Sequence, residues 1–154
     1  MTTTKEQRLI AWTPIDSVSG KSPSFGEVSM ESPDYQTLMV TLPYDEGKLR
    51  LQFNDVRAFM TSWDGDSNPY VTFEDARGRP DDLLKVENSR WLASPHFYLD
   101  IESSIQMSEA PWEHFIILAS ERSIHIAARD SIEASWIQGV WSGGPGNWEF
   151  QSNE

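Results

Sequence analysis

The chain has 154 residues, no cysteine, and 24 acidic against 12 basic side chains, which gives a formal net charge of −12. A net anion of this size repels nucleic-acid phosphates and anionic membrane surfaces, so neither is expected as a partner. The lack of cysteine excludes disulfides, thiolate nucleophiles, iron–sulfur clusters and the common cysteine-ligated zinc sites.

The length predicts one domain with a core of its own. Residues 1–24 mix Thr, Ser, Gly and Pro around an apolar patch at 9–12, which predicts a loose arm with one short strand at most. The globular domain is expected over 25–138, and a tail containing Gly and Trp over 139–154. The start of the chain lacks the pattern of a signal peptide, and the apolar stretch Phe115–Ala119 is too short to cross a bilayer. A cytoplasmic location is therefore predicted.

Alternation of apolar and polar residues is clearest between residues 36 and 62, and it is typical of half-buried strands. Turn-forming residues at 43–47 and at Asn54-Asp55 divide this stretch into three runs. A tight turn at Asn54-Asp55 would place Phe53 opposite Val56 and keep one face apolar. The sequence therefore predicts a three-stranded antiparallel meander.

The second half of the chain repeats this logic. Apolar β-type runs at 114–119 and 123–128 are expected to form a hairpin that turns at Glu121-Arg122, with a further strand at 132–137. A short strand is expected at Tyr70–Phe73, and a short helix over 90–93 that Asn88 or Ser89 caps and Pro95 ends. Residues 96–106 fit either a helix or a strand.

Together these elements predict a mainly β protein, with α+β as the alternative. The expected architecture is a set of antiparallel meander sheets that form a sandwich or a partly open barrel, with one or two short helices.

The chain has three histidines, His96, His114 and His125, whose side chains are candidate metal ligands. A turn at Glu121-Arg122 places His125 opposite Leu118 and His114 four residues away along the ladder, at about 13 Å. Metal ligands must converge on one ion. No histidine metal site and no cofactor are therefore predicted.

Acidic residues in the predicted loops are candidates for calcium binding and for catalysis. Asp64, Asp66 and Asn68 lie at the alternate positions of a calcium loop, but Pro69 replaces the glycine that permits its sharp bend. A polar turn is expected there, with calcium binding as the alternative. The paired acids at 45/46, 64/66, 74/75 and 81/82 lie in probable loops where solvent keeps both carboxyls ordinary, so no catalytic residue is assigned.

Tryptophan is unusually frequent, with seven copies at positions 12, 63, 91, 112, 136, 141 and 148. Trp91, Trp112 and Trp136 lie in apolar contexts and are expected to fill the core. Trp141 and Trp148 flank a glycine-rich segment and are the better candidates for contact with a partner, because an exposed indole offers a large contact area.

Three short segments carry a resemblance: Val86–Leu92 (VENSRWL), His114–Leu118 (HFIIL) and Ile124–Ala128 (IHIAA). Over roughly residues 84–137 the chain resembles a group of small uncharacterised bacterial proteins. The resemblance implies a bacterial cytoplasmic origin and supplies no catalytic residue.

The negative charge is concentrated after residue 90, where Arg122 and Arg129 stand against nine acids. Such a surface steers association with a cationic protein. The sequence therefore predicts a non-enzymatic acidic binding protein of the immunity-protein type that docks a basic protein, with a homodimer through a sheet edge as a further option. The candidate contact residues are Glu121, Asp130, Glu133, Trp141 and Trp148. The alternatives are a small-molecule or carbohydrate-binding β domain that uses Trp platforms, and a hydrolase that uses loop carboxylates.

Overall fold

The computed structural model describes residues 6–24, 28–63, 70–71, 82–94, 112–119, 122–141 and 148–150. Within them the chain is built almost entirely of β-strands. These are β1 (Arg8–Ala11), β2 (Ser29–Glu31), β3 (Leu38–Tyr44), β4 (Gly47–Trp63), β5 (Leu83–Glu87), β6 (Glu113–Ala119), β7 (Arg122–Trp141) and β8 (Trp148–Phe150).

The strands form one antiparallel sheet in the order β1-β5-β6-β7-β4-β3-β2, with β8 paired to β7. The sheet does not close into a barrel, and the predicted mainly β fold is confirmed. In place of the expected short helices, the described part of the chain holds a three-residue 3₁₀ helix (Asp16–Val18) and no α-helix.

The first hairpin of the predicted meander is confirmed, with Leu38 opposite Phe53 and Tyr44 opposite Gly47. The predicted second turn at Asn54-Asp55 is wrong, because β4 continues through it to Trp63. The reason is that β7 pairs with β4 on both sides of this point. Asn54 and Asp55 lie at a bulge, where one extra residue of β7 is accommodated, and a second bulge in β4 follows two positions later.

Strand β7 also differs from the prediction. It runs without a break through Arg129-Asp130-Ser131, where the sequence indicated a turn, and it includes the predicted strand at 132–137. Its first half pairs with β6 on one edge and with β4 on the other, so β7 lies at the centre of the sheet.

One face of the sheet carries the main core. Phe53, Phe115 and Ile126 are completely buried there, and the rings of Phe53 on β4 and Phe115 on β6 meet across the intervening β7 with centroids 5.5 Å apart. Burying a side chain of this size stabilises a fold by about 1.5–3 kcal/mol. The other main-core residues are Val18, Leu38, Val40, Leu42, Tyr44, Leu49, Leu51, Leu83, Ile117, Ala119, Ile124 and Ala128.

The segment before Ser24, for which the composition suggested a loose arm, contributes to this core. β1 pairs with β5 at the edge of the sheet. The Trp12 ring centroid lies 4.7 Å from that of Phe115, and the backbone N–H of Trp12 donates to the Leu83 carbonyl. Val18 is 4% exposed.

Several predicted features lie outside the described residues: the possible calcium loop at 64–68, Asp75, the strand residue Phe73, His96 and the rest of 96–106. Tyr70 and Val71, from the same predicted strand as Phe73, form a bend.

Candidate functional site

The second face of the sheet is covered near β5, β6 and β7 by the turn that follows β5. This turn, residues 88–94, packs Trp91 against Ala127 of β7. The group around these two residues is called the Trp91 cluster, and it also contains Ala58, Met60, Tyr70, Leu92 and Trp112.

The covered face brings together the two described histidines. Strands β6 and β7 pair with Ala119 opposite Arg122, so that His114 lies opposite Ala127 and His125 opposite Ile116. The histidines are therefore diagonal neighbours on adjacent strands. The predicted separation of about 13 Å is wrong, because the hairpin register differs by two residues from the one that a turn at Glu121-Arg122 would give.

The two imidazoles and Ser89 form a continuous hydrogen-bonded chain. His114 Nε2 lies 2.9 Å from His125 Nδ1, and the Ser89 Oγ lies 2.7 Å from His114 Nδ1. All three side chains are buried, with exposed fractions of 7% for Ser89, 0% for His114 and 3% for His125. The chain links the turn after β5 to the centre of the sheet.

The turn holds Ser89 in place through backbone contacts. Asn88, directly after β5, adopts a positive φ of 55°, which asparagine tolerates better than most residues. The Leu92 N–H donates to Ser89 Oγ at 3.2 Å, which is the hydrogen bond that a capping serine makes. The predicted helix is instead a single turn. The N terminus contributes as well, since the Arg90 N–H donates to Oε1 of Gln7.

Burial keeps both histidines uncharged. The pKa of His114 is lowered from 6.5 to about 3, mainly by desolvation and to a smaller extent by the neighbouring His125. Desolvation lowers the pKa of His125 to about 4. At neutral pH the side chains of Ser89, His114 and His125 are therefore all uncharged. Each of the two hydrogen bonds between them needs one donor and one acceptor.

Two arrangements of protons satisfy these links, because a serine hydroxyl can donate to an imidazole or accept from it. In one of them the Ser89 hydroxyl, whose oxygen accepts the Leu92 N–H, donates its own proton to His114 Nδ1. His114 then carries its proton on Nε2 and donates it to His125 Nδ1. In this arrangement a serine hydroxyl donates to one imidazole, which in turn donates to a second imidazole.

A second polar contact borders the Trp91 cluster. The Arg129 Nε donates to Asp55 Oδ2 at 2.6 Å, and the guanidinium lies 4.3 Å from the centroid of the Trp112 ring. The Arg129 side chain is 16% exposed and that of Asp55 is 24% exposed. The ion pair and the stacking hold this cation inward, at the bulge that joins β4 to β7.

The predicted contact residues are described unequally. Glu133 is exposed on β7 and accepts a hydrogen bond from Asn54 Nδ2 at 3.1 Å. The backbones of Trp141 and Trp148 pair as β7 meets β8, and Asp130 lies in β7. The side chains of Asp130, Trp141 and Trp148, and the whole of Glu121, lie outside what the structure describes.

The three tryptophans expected in the core use their rings within the chain. Trp91 is 8% exposed and packs edge-on against the His114 ring. Trp112 and Trp136 are half-buried; Trp136 packs edge-on against Tyr44 at 5.4 Å. Core packing is therefore confirmed for Trp91, while the other two lie at the margins of the packed clusters.

Sequence reasoning missed the Ser89–His114–His125 chain, although a signal for it is present. His114 and Ile116 share one face of β6, because they are two residues apart. Their pairing partners, Ala127 and His125, share the same face of β7, so both histidines lie on one face of the sheet. A two-residue connection between Ala119 and Arg122, in place of the turn at Glu121-Arg122, would have made them neighbours.

Within the described ranges, no three His, Cys, Asp or Glu side chains are grouped so that they could hold a metal ion. No helix in the same ranges is long and apolar enough to cross a membrane. No protein-family model matches the chain, and comparisons with curated proteins and with solved structures also found no match.

Proposed function

We propose that this chain is an acidic bacterial cytoplasmic protein of the immunity-protein type that binds a basic protein partner. The observation that carries the proposal is the charge asymmetry, with two arginines against nine acids after residue 90. A surface of one sign raises the association rate of an oppositely charged partner by about 10–10³-fold and disfavours anionic competitors.

The described contacts support this proposal. Arg129 is compensated by Asp55 and turned toward Trp112, so it contributes little positive potential to the surface. Glu133, on the same strand, is exposed and contacts a neutral amide. Glu121, Asp130, Trp141 and Trp148 complete the proposed contact region, in which the indoles supply contact area and the acids supply attraction.

The two alternative functions receive less support from the described residues. Trp91, Trp112 and Trp136 contact other side chains of the protein, so a carbohydrate platform would rest on Trp141 and Trp148. Among the paired acids, Asp45 and Glu46 are exposed at a hairpin turn, where they contact Ser24 and Lys21, and they do not face each other across a cleft.

Affinity capture from a lysate of the source cell tests the proposal. The full chain is immobilised, and bound proteins are identified at about 0.05 M and about 0.5 M salt, which bracket weak and strong screening. We expect one basic protein to be retained at low salt and released at high salt.

Two charge reversals make the test specific. Glu133→Lys is expected to weaken capture strongly, whereas Glu31→Lys, an equal change of net charge at an exposed site on β2, is expected to leave most of it. Failure to retain any basic protein would contradict the proposal. If Glu133→Lys and Glu31→Lys lose capture of the partner equally, the capture depends only on net charge. That result would contradict the assigned contact region. A homodimer through a sheet edge stays a separate prediction, tested by the mass of the free protein in solution.

A further inference from the structure

Serine-dependent acyl transfer uses a nucleophile, a base hydrogen-bonded to it and a third group that orients the base. The hydrogen bonds connect Ser89, His114 and His125 in this order. We propose that Ser89 is a nucleophile for activated esters of small acyl groups, with His114 as its base and His125 as a positioning residue. The proposal goes beyond partner binding and is independent of it.

The distances meet the requirement for proton transfer. The Ser89 Oγ and His114 Nδ1 are 2.7 Å apart, within the roughly 2.6–3.2 Å range of a nucleophile and its base. The 2.9 Å contact between His114 Nε2 and His125 Nδ1 holds the ring in place, and a nucleophilic role for Ser89 uses the arrangement in which His114 carries its proton on Nε2. In that arrangement the Nδ1 lone pair of neutral His114 is available to accept the hydroxyl proton.

The local backbone also favours a nucleophilic role for Ser89. The residue follows strand β5 at a turn that opens with the positive φ of Asn88, and nucleophilic serines also occur where a strand passes into a helix. The Leu92 N–H donates to the Ser89 Oγ at 3.2 Å and holds this oxygen in a fixed position beside His114.

A second serine in the same turn shows what is particular to Ser89. Ser94 is 8% exposed, against 7% for Ser89. Its hydroxyl, however, donates to the Trp91 carbonyl at 2.6 Å instead of to an imidazole. The two serines are matched in chemistry and exposure and differ in their hydrogen-bond acceptor, so Ser94 is the natural control.

The surroundings indicate the substrate class. Besides the polar Gln7 and Ser94, the side chains packed around the turn are apolar or aromatic, with Trp91 against the His114 ring and Leu92 in the same cluster. The low exposure of Ser89 favours a short acyl chain over a bulky one. An apolar environment also disfavours charged acyl groups, because these would lose their hydration without compensation.

The reaction proceeds in two balanced halves. The Ser89 Oγ forms a bond to the carbonyl carbon while its proton moves to His114 Nδ1. The ester C–O bond then breaks, and the leaving alkoxide takes that proton and departs as the alcohol. Water attacks the acyl-serine in the same manner, which releases the carboxylic acid and restores the hydroxyl.

Covalent labelling tests this assignment. The full chain is incubated with a fluorophosphonate probe, which phosphonylates an activated serine and releases fluoride, and the adduct is located by mass spectrometry of peptides. We expect one adduct, on Ser89. Ser89→Ala should abolish it, Ser94→Ala should leave the rate within about twofold, and His114→Gln should lower the rate by about 100-fold, the size of a general-base contribution.

Cysteine probes give a second readout, because the natural chain contains no cysteine. Ser89→Cys and Ser94→Cys each introduce a single thiol at a site of similar exposure, and circular dichroism verifies that both variants fold. Iodoacetamide is expected to alkylate the Ser89→Cys variant at least about tenfold faster, since a neighbouring base promotes the thiolate. Equal alkylation rates would overturn the role of His114.

The pH profile of labelling separates His114 from an ordinary solvated histidine. Because His114 stays neutral well below pH 6.5, the labelling rate should be flat between pH 5 and 8. A rise centred near pH 6.5, the ordinary histidine pKa, would assign the base elsewhere. Absence of any adduct on Ser89, or equal labelling of Ser89 and Ser94, would overturn the proposal.

Discussion

Acid should destabilise this protein as the pH falls below about 6.5, because of its two buried histidines. His114 and His125 stay neutral in the folded chain down to about pH 3 and about pH 4, respectively. In the unfolded chain both take up a proton near pH 6.5. Below pH 6.5 the unfolded state therefore binds more protons than the folded state, and stability that is fully present above this pH is lost as the pH falls.

The magnitude follows from the linkage between protonation and unfolding. Each histidine contributes a slope of about 1.4 kcal/mol per pH unit between its unfolded and folded pKa values, so the pair contributes about 2.7 kcal/mol per unit. Between pH 7 and pH 5 the free energy of unfolding should fall by about 4 kcal/mol. This is a large share of the roughly 5–15 kcal/mol that holds most domains folded.

Urea unfolding followed by tryptophan fluorescence at pH 7, 6, 5.5 and 5 measures this slope. His125→Gln keeps a hydrogen-bonding side chain beside His114 but removes one titrating group, so its slope should fall to about half. A wild-type slope below about 0.5 kcal/mol per unit over pH 5–6 would refute this account of the histidine pair. So would an unchanged slope in the variant.

Two further substitutions, each with a comparison variant, test contacts between β4 and β7 by urea or thermal unfolding. Gly47→Ala would place a methyl group against the Ile137 carbonyl oxygen and should destabilise the fold by about 2–4 kcal/mol. Gly20→Ala meets open space but has a φ of +72°, so it should cost about 1 kcal/mol. Equal losses of stability in the two variants would contradict the close approach of Gly47 to Ile137. Asp55→Ala removes the ion-pair partner of the largely buried Arg129 and should cost about 1–3 kcal/mol, more than Asp55→Asn, which keeps a hydrogen-bond acceptor. If the two Asp55 variants unfold alike, an uncharged hydrogen-bond acceptor at this position contributes nothing to stability.

Residue alternation predicted the faces of the strands better than it predicted their partners. Leu38, Leu51 and Phe53 are buried together, as the period of two indicated. A shift of two residues in a hairpin preserves every face and changes every partner. That is how the β6–β7 hairpin could be assigned the correct faces while His114 and His125 were placed too far apart.

Turn chemistry was equally ambiguous where a strand is long. Asn54-Asp55 and Arg129-Asp130-Ser131 have the composition of turns, yet both lie within continuous strands at the same bulged region. A bulge and a turn favour similar residues, and what decides between them is a pairing partner more than 70 positions away. Local sequence cannot supply that information.

The Ser89 site illustrates the same limit. Its capping role depends on residues within four positions and was predictable. Its hydrogen bond to His114 spans 25 positions and depends on the order β5-β6-β7 in the sheet. The packing of Trp12 on Phe115 likewise depends on β1 joining the sheet beside β5.

The central position of β7 has a consequence for how the chain assembles. β4 pairs with β7 over nearly its whole length, and its first residue, Gly47, pairs with Gln138. Long-range pairing of this kind slows folding, because chain entropy is lost before the contacts form. During synthesis at about 5–20 residues per second, β4 therefore spends several seconds with an open edge before β7 emerges. Truncation within β7 should leave the first half of the chain unable to form its sheet, and the completed chain should fold in a late step that joins both halves at once.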